Sequence, residues 1–481
     1  MGWWNWLQEI DAPSSQTCVT KSVNKIHETF INRADWKKNE LLIGNSKAKA
    51  ILIYLDYTVD QNTLRKDVVE PLLHFSKTTK LPQEWTLSES ISCGDLLLVQ
   101  QRLLEGSVAV FISGSTKCFI IRAPRAVVRA VESPEMEFTT RGPKEGFIED
   151  ASQNIEMIQK RLRTDKLELR SFRLGKITQT NTWLLSLKGI TSPELIERVT
   201  SKLNQITADQ MIDSCEVEEY LEDSAWTPFS VINTTERPDR CVGALMEGGI
   251  VLLVDGSPNA LIGPYTYFQQ FHTPDDYYQR AMYATIKRWI RVTGFFLSTN
   301  LVALYMALIG FHSHLIPVKL VTILSLKRES VPFPPMIEIM IIQLMIDLVL
   351  EGILRLPPKL GQIIGVSGAI IIGQATISAD LISPMVIIIV SVSTICGYAQ
   401  ARLSSTFTVQ VIRYVNLLCA GILGAFGLTV IWIFWLIHVC SLHSLGKAYL
   451  NPISPFSMVA LKDTILRISK RAMGNKSPNV M

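Results

Sequence analysis

Hydrophobic residues follow two different rules along this chain. Through about residue 285 they come in short runs or at helical spacing, separated by polar stretches. Beyond it they come in unbroken runs of about the length a bilayer requires. In the first part, Ala50-Ile-Leu-Ile-Tyr-Leu55 predicts a buried strand. Residues 60–75 place Leu64, Val68, Val69, Leu72 and Leu73 on one helical face, and residues 95–104 predict a second helix. The runs 108–114 and 118–122 flank Gly-Ser-Thr-Lys and predict a hairpin. These elements make one small α/β unit that ends near Ser133-Pro134.

Arg141-Gly-Pro-Lys144 then punctuates the chain. A helix is predicted over 152–162, strands over 167–174 and 183–187, and a helix opening at Ser192-Pro193. The run 250–254 is a further buried strand, ended by Asp255-Gly256. Strands alternating with helices favour a second α/β unit over an all-β domain.

Five apolar runs follow: 292–316, 336–354, 361–379, 381–399 and 415–437. Pro317 ends the first and Val331-Pro-Phe-Pro-Pro335 leads into the second. Arg402 and Arg413 are expected to bracket a polar loop before the last. The expected fold is therefore an α+β multidomain chain. Two small α/β units, 1–140 and 141–285, precede an all-α polytopic membrane domain over 286–440 and a basic cytoplasmic tail over 441–481. Four spans with residues 361–379 re-entrant would put both termini on one side. Five full spans would put the basic tail outside, against the positive-inside rule.

Charge supports the division. Residues 1–291 hold 71 charged side chains, residues 292–437 hold 12, and the remainder holds seven, six of them basic. Overall 48% of residues are apolar and 19% charged, with a net charge of +4; mean hydropathy is +0.23. A purely soluble enzyme, a disordered chain and a single-span anchor are excluded as readings. The first 291 residues carry 34 basic and 37 acidic side chains, which leaves no footprint for nucleic acid. Lys287, Arg288 and Arg291 precede the first run, with Trp289 as an interface anchor, and place the preceding domain in the cytoplasm.

Candidate chemistry is sparse. The eight cysteines form no CxxC, and no GxSxG, GxxxxGK[ST], HExxH or GxGxxG motif is present, so neither enzyme activity, metal nor cofactor is expected. Asp275-Asp276 reads as a helix-start cap, His312 and His314 as an interfacial pair, and Trp3, Trp4 and Trp6 as membrane or partner contacts or a frayed terminus. Glu338 lies near one end of its run, within reach of an interface. Asp347, Glu351 and Arg355 follow one another at one-turn spacing and can share a helix face. Acids inside a membrane run usually face protein or water, so this face reads either as an ion path or subunit contact or as a bundle salt bridge. Gly361, Gly365, Ala369 and Gly373 form a small-residue stripe, and Gln362 and Gln374 add polar points. These six are the candidates for a pore or a subunit contact.

An ordered set of motifs carries a resemblance. Arg141-Gly-Pro-Lys144, Thr235-Glu-Arg-Pro-Asp239, Val251-Leu-Leu-Val-Asp-Gly-Ser-Pro258 and Thr273-Pro-Asp-Asp-Tyr-Tyr-Gln-Arg280 come first. Val331-Pro-Phe-Pro-Pro335, Leu354-Arg-Leu-Pro357, Gly361-Gln-Ile-Ile-Gly365 and Ile372-Gly-Gln-Ala375 follow. Over about residues 141–465 the chain resembles the A subunit of the spore germinant receptors of endospore-forming bacteria, the GerA family. The resemblance implies a multi-pass protein of the spore inner membrane acting with a transporter-like B subunit and a lipoprotein C subunit. It also implies a homo-oligomer around a nutrient-gated cation channel, with residues 361–379 as the pore candidate. The chain departs from the family at Leu350-Glu-Gly-Ile353, where Arg-Glu-Ala-Gly is usual, so Glu351 depends on Arg355. A coupling scaffold relaying a partner's signal and a secondary transporter are the alternatives.

Overall fold

The computed structural model describes residues 13–43, 49–74, 89–92, 94–113, 115, 117–125, 134, 137, 139–224, 226–400, 403–454, 456, 463–464 and 466–467. The three N-terminal tryptophans and Arg402 lie outside them. The chain forms two compact units, residues 1–222 with 232–264 and 479–481, and residues 223–231 with 265–478.

The first unit is built on two five-stranded sheets. Strands β1 (Trp36–Leu42), β2 (Lys49–Leu55), β3 (Glu89–Ser92), β4 (Ser107–Ile112) and β5 (Lys117–Arg122) lie in the order β1-β2-β4-β5-β3, every pair antiparallel. The hairpin expected from the sequence pairs Val110 with Phe119. On one face Leu52, Tyr54, Val108 and Val110 meet Leu64, Val68 and Leu72 of a helix over 61–73, which passes through a π-helical turn, Leu64–Val69. On the other, Ile53, Ala109 and Phe111 meet helices α1 (Pro13–Phe30) and α2 (Leu96–Leu104). Side chains alternate between faces along a strand. With both faces covered, β4 reads as a continuous apolar run rather than an alternating one.

Strands β6 (Leu167–Leu174), β7 (Thr180–Leu187), β8 (Asn233–Thr235), β9 (Ile250–Val254) and β10 (Ala260–Gly263) make the second sheet, ordered β6-β7-β9-β10-β8 and again antiparallel. Helices α3 (Ala151–Arg161) and α4 (Pro238–Met246) pack on one face through Ile155, Ile158, Cys241 and Leu245. Asp150 caps the first of them by accepting the Ser152 and Gln153 N–H groups. The alternate positions Leu184, Leu252 and Leu261 are buried as well.

The second unit is helical. Its main elements are α5 (Ala281–Gly310), α6 (Val318–Arg328), α7 (Pro335–Leu354), α8 (Pro358–Ser378), α9 (Pro384–Tyr398) and α10 (Leu403–Ser441). The stretches Ala281–Gly310, Leu360–Ser378 and Ser405–Ser441 are long and apolar enough to cross a membrane, and Pro384–Tyr398 is a shorter apolar helix. Of residues 361–379, read above as a span or a re-entrant segment, 361–378 fall in one uninterrupted helix and Ala379 caps it.

Cross-contacts fix the direction of each helix. Ser393 donates to the Ser298 carbonyl and Gln400 to that of Arg291, so α9 runs antiparallel to α5. A Cβ at Gly361 would lie 3.2 Å from the Ile353 carbonyl oxygen, while Gly368 faces Val349, so α7 and α8 form an antiparallel pair. The last apolar run departs from expectation. Asn416 donates to Thr299, Ala420 packs with Ala303 and Ala307, and Gly424 lies against Phe311. The chain then returns, with Trp432 donating to Asn300 and Trp435 to Asn416. A straight helix would separate residues 416 and 435 by about 28 Å at 1.5 Å per residue. Their hydrogen bond of 3.2 Å instead requires a fold-back, made at Gly424 with φ 62° and ψ −143°. The run 415–437 is therefore two antiparallel helices, not one span.

Candidate functional site: the polar layers of the helical unit

Three polar clusters sit at different heights of this bundle. The lowest surrounds Asp276, in the turn before α5. Its carboxylate is fully buried and accepts from Arg288 Nε at 3.2 Å, Arg291 Nη2 at 2.5 Å and the Thr273 hydroxyl at 3.1 Å. Arg288 also donates to Asp463, at 3.1 Å to the carboxylate and 2.6 Å to the carbonyl. Arg467 stacks its guanidinium 4.4 Å above the Tyr277 ring and lies 3.5 Å from Asp463. Asp276 is thus more than a cap, and Arg288 and Arg291 are not free interfacial cations. A buried carboxylate and a buried guanidinium each need the other, since either alone is costly to desolvate. The tail residues Asp463 and Arg467 were missed because a polar terminal segment gives no periodic signal.

The middle cluster surrounds Asp347. The expected face of Asp347, Glu351 and Arg355 holds only in part. Glu351 and Arg355 pair at 2.7 Å, both exposed. Asp347 instead accepts from Tyr414 Oη at 2.6 Å and Arg413 Nη2 at 3.3 Å, with Gln343 and Gln410 around it. Arg413 is buried inside α10 and donates to Thr394 of α9, so it does not lie in a loop. This cluster joins three helices. Arg413 was missed because it stands just before the apolar run 415–437, where a loop was expected, and α10 begins twelve residues ahead of that run.

The upper cluster surrounds Glu338. Its side chain is fully buried rather than at an interface. Oε1 accepts the Ser383 N–H at 2.5 Å, and Oε2 lies 3.7 Å from Arg328 Nε. His312 and His314 stand edge to face near this end of the bundle, with ring centroids 5.9 Å apart.

The pore candidates all lie on α8. Gly361 and Gly365 face Ile353, where Cβ atoms would fall 3.2 and 3.1 Å from its nearest atoms. Gly373 meets nothing within 4 Å. Gln362 and Gln374 are exposed, and the side chain of Ala369 lies outside the described ones. The stripe therefore splits. Its first turns hold α8 against α7, and its last turns stand open. Ile363, Val366 and Ile371 are 63, 59 and 65% exposed, so one apolar side of α8 is bare.

The family model "Bacillus/Clostridium GerA spore germination protein" matches residues 24–479. The chain is 30% identical to spore germination protein KA of Bacillus subtilis over 460 residues, 94% of this chain and 84% of that one. It is 31% identical to spore germination protein B1 of the same organism, over 94% of each. Among solved structures, the N-terminal domain of the A subunit of the Bacillus megaterium spore germinant receptor GerK3 is similar. It has a TM-score of 0.39 at 24% identity, covering 51% of this chain and 94% of that domain.

Proposed function

The chain belongs to the GerA family of spore germination proteins, and from that premise we propose that it is the A subunit of a nutrient-sensing germinant receptor. In this reading it sits in the spore inner membrane with a transporter-like B subunit and a lipoprotein C subunit. Copies of it surround a cation channel that opens when nutrient is sensed. The observation that carries the reading is α8. It is charge-free from Leu360 to Ser378, most of its length is exposed, and Gly361, Gly365 and Gly368 lean on the neighbouring α7. Equivalent helices from several copies would cover the bare side and line a path with small residues and the Gln362 and Gln374 amides.

The alternating helix directions support a topology. With α5, α7, α8, α9 and both arms of α10 crossing, six passes return the chain to the side on which it began. The basic tail and the N-terminal unit then both lie in the cytoplasm, in agreement with the positive-inside rule. The Asp347 cluster ties α7, α9 and α10 together and Glu338 ties α7 to the start of α9, whereas α8 takes part in none of these polar clusters.

The test is cation flux in liposomes holding the complex with its B and C partners, across a panel of amino acids and sugars. Nutrient-dependent flux that Gly361→Leu abolishes, with assembly retained, is the expected result. Flux that persists unchanged in that variant would move the pore elsewhere and leave this chain as a coupling scaffold.

A further inference from the structure

At the upper end of the bundle, a cavity of about 470 Å³ lies between the end of α5, the turn after it and α6. Ile309, Ile316, Val321 and Leu324 form an apolar wall; Ser313, Ser325 and Arg328 add polar groups, and Glu329 stands among them. The volume is within the usual range of small-molecule sites.

Two independent features say what fills it. The first is Arg328. Its Nε is buried without a hydrogen-bond partner, and so is Glu338 Oε2, 3.7 Å away. That separation is too long for a hydrogen bond, so the guanidinium is held near one anion while its donors are not used up by it. The second is α6 itself. None of its residues is buried, and Val318, Leu320, Ile323 and Leu326 are all more than half exposed. An apolar helix left bare calls for a hydrophobic covering. It also carries Lys319, Lys327 and Arg328, with Glu329 directly after, a surplus of two positive charges. Bare apolar surface beside surplus cations is the chemistry of an anionic lipid surface.

We propose that this cavity holds an anionic phospholipid. The phosphodiester accepts from Arg328 and the Ser313 and Ser325 hydroxyls, and an acyl chain lies along Ile309, Ile316, Val321 and Leu324. Arg328 then stands between the lipid phosphate and Glu338 at the start of α7. Lipid occupancy thereby fixes the upper end of the helix against which α8 packs. The inference rests on the membrane placement proposed above.

The full chain, purified in detergent, would be mixed with equal amounts of phosphatidylglycerol and phosphatidylcholine of the same chain length. Retained lipid would be counted by native mass spectrometry. Both lipids offer the phosphodiester, but the choline adds a cation beside Lys319, Lys327 and Arg328, so phosphatidylglycerol should be retained about tenfold over phosphatidylcholine. Arg328→Gln should bring the two close to parity. Val321→Trp, which fills the cavity without touching the ion pair, should remove retention of both with the melting temperature unchanged. Equal retention of the two lipids by the wild type, or undiminished phosphatidylglycerol in Val321→Trp, would overturn the proposal. Displacement by inorganic phosphate would also overturn it, by showing a site for a soluble anion. Flotation of the same chain with phosphatidylglycerol liposomes is measured alongside, and a chain that fails to float with them contradicts the membrane placement instead. One that enters but shows no headgroup preference contradicts only this site.

Discussion

The two units place their deepest ion pairs differently. In the first unit, Arg33 pairs with Asp35 and Arg237 with Asp239, each two residues away in sequence. In the second, Arg288 joins Asp276 to Asp463, residues 12 and 175 positions from it, and Arg413 reaches Asp347, 66 positions away. On the membrane placement proposed above, the surroundings of each unit account for the difference. In water, burial of apolar faces assembles the layers, and the arginines lock loops onto them: Arg237 also donates to Thr139 and Pro143, and Arg240 pairs with Glu137. Between apolar helices in lipid that driving force is absent, because lipid tails are as apolar as leucine. Polar side chains then decide which helices meet and at what height. The Arg413–Asp347 pair is of that kind, because it joins two helices that are far apart in sequence.

That contrast can be broken at several points. Asp276→Ala leaves Arg288 and Arg291 buried without their shared carboxylate and should cost about 3–5 kcal/mol, read as a fall in the melting temperature of the full chain. Asp347→Ala should cost about 1.5–3 kcal/mol, because a half-buried charged acceptor is lost; Asp347→Asn, which keeps a weaker acceptor, should recover part of it. Gly424→Ala forces a side chain into a backbone conformation reserved for glycine, with its Cβ 2.9 Å from the Phe311 ring. A cost of about 1–3 kcal/mol is expected, again by thermal unfolding.

In the first unit, burial and the neighbouring Glu218 and Glu219 push the Glu222 carboxyl up to about 7. A carboxyl raised on folding adds stability that is complete below its ordinary value and lost as pH rises through 7. Hydrogen exchange in residues 193–222 of the full chain should therefore show weaker protection at pH 8 than at pH 6, and Glu222→Gln should flatten the difference. The smallest effect belongs to the exposed Glu351–Arg355 pair, where Glu351→Gln should change stability by about 0–1 kcal/mol. A large loss there would mean that this pair is covered in the assembled protein.

The first unit was largely legible in sequence because its periodicities are complete. The run 50–55, the hairpin around residues 114–117 and the Ser192-Pro193 helix start each fell where a local rule put them. Sheet order was not legible, since pairing β2 with β4 across the intervening β3 depends on layers that no local pattern encodes. In the second unit the apolar runs announced helices but not their ends. The run 415–437 reads as one span, and only the left-handed conformation at Gly424 turns it back. Helix α6 was hidden because Pro317 reads as a stop when it is also a start. Of the site residues, the Gly361 and Gly365 contacts follow from small-residue spacing. Asp347 was placed on one face with Glu351 and Arg355, and the arginine it meets in space, Arg413, lies on another helix.

Cysteine accessibility in sealed vesicles tests the folded-back architecture most directly. Single cysteines at Met282, His314 and Ser441, in a background without the native ones, would be treated with a membrane-impermeant maleimide from each side. The account predicts that positions 282 and 441 react from one side and position 314 from the other. Labelling of 441 from the same side as 314 would contradict it, because α10 would then be one span and the tail would lie opposite the N-terminal unit.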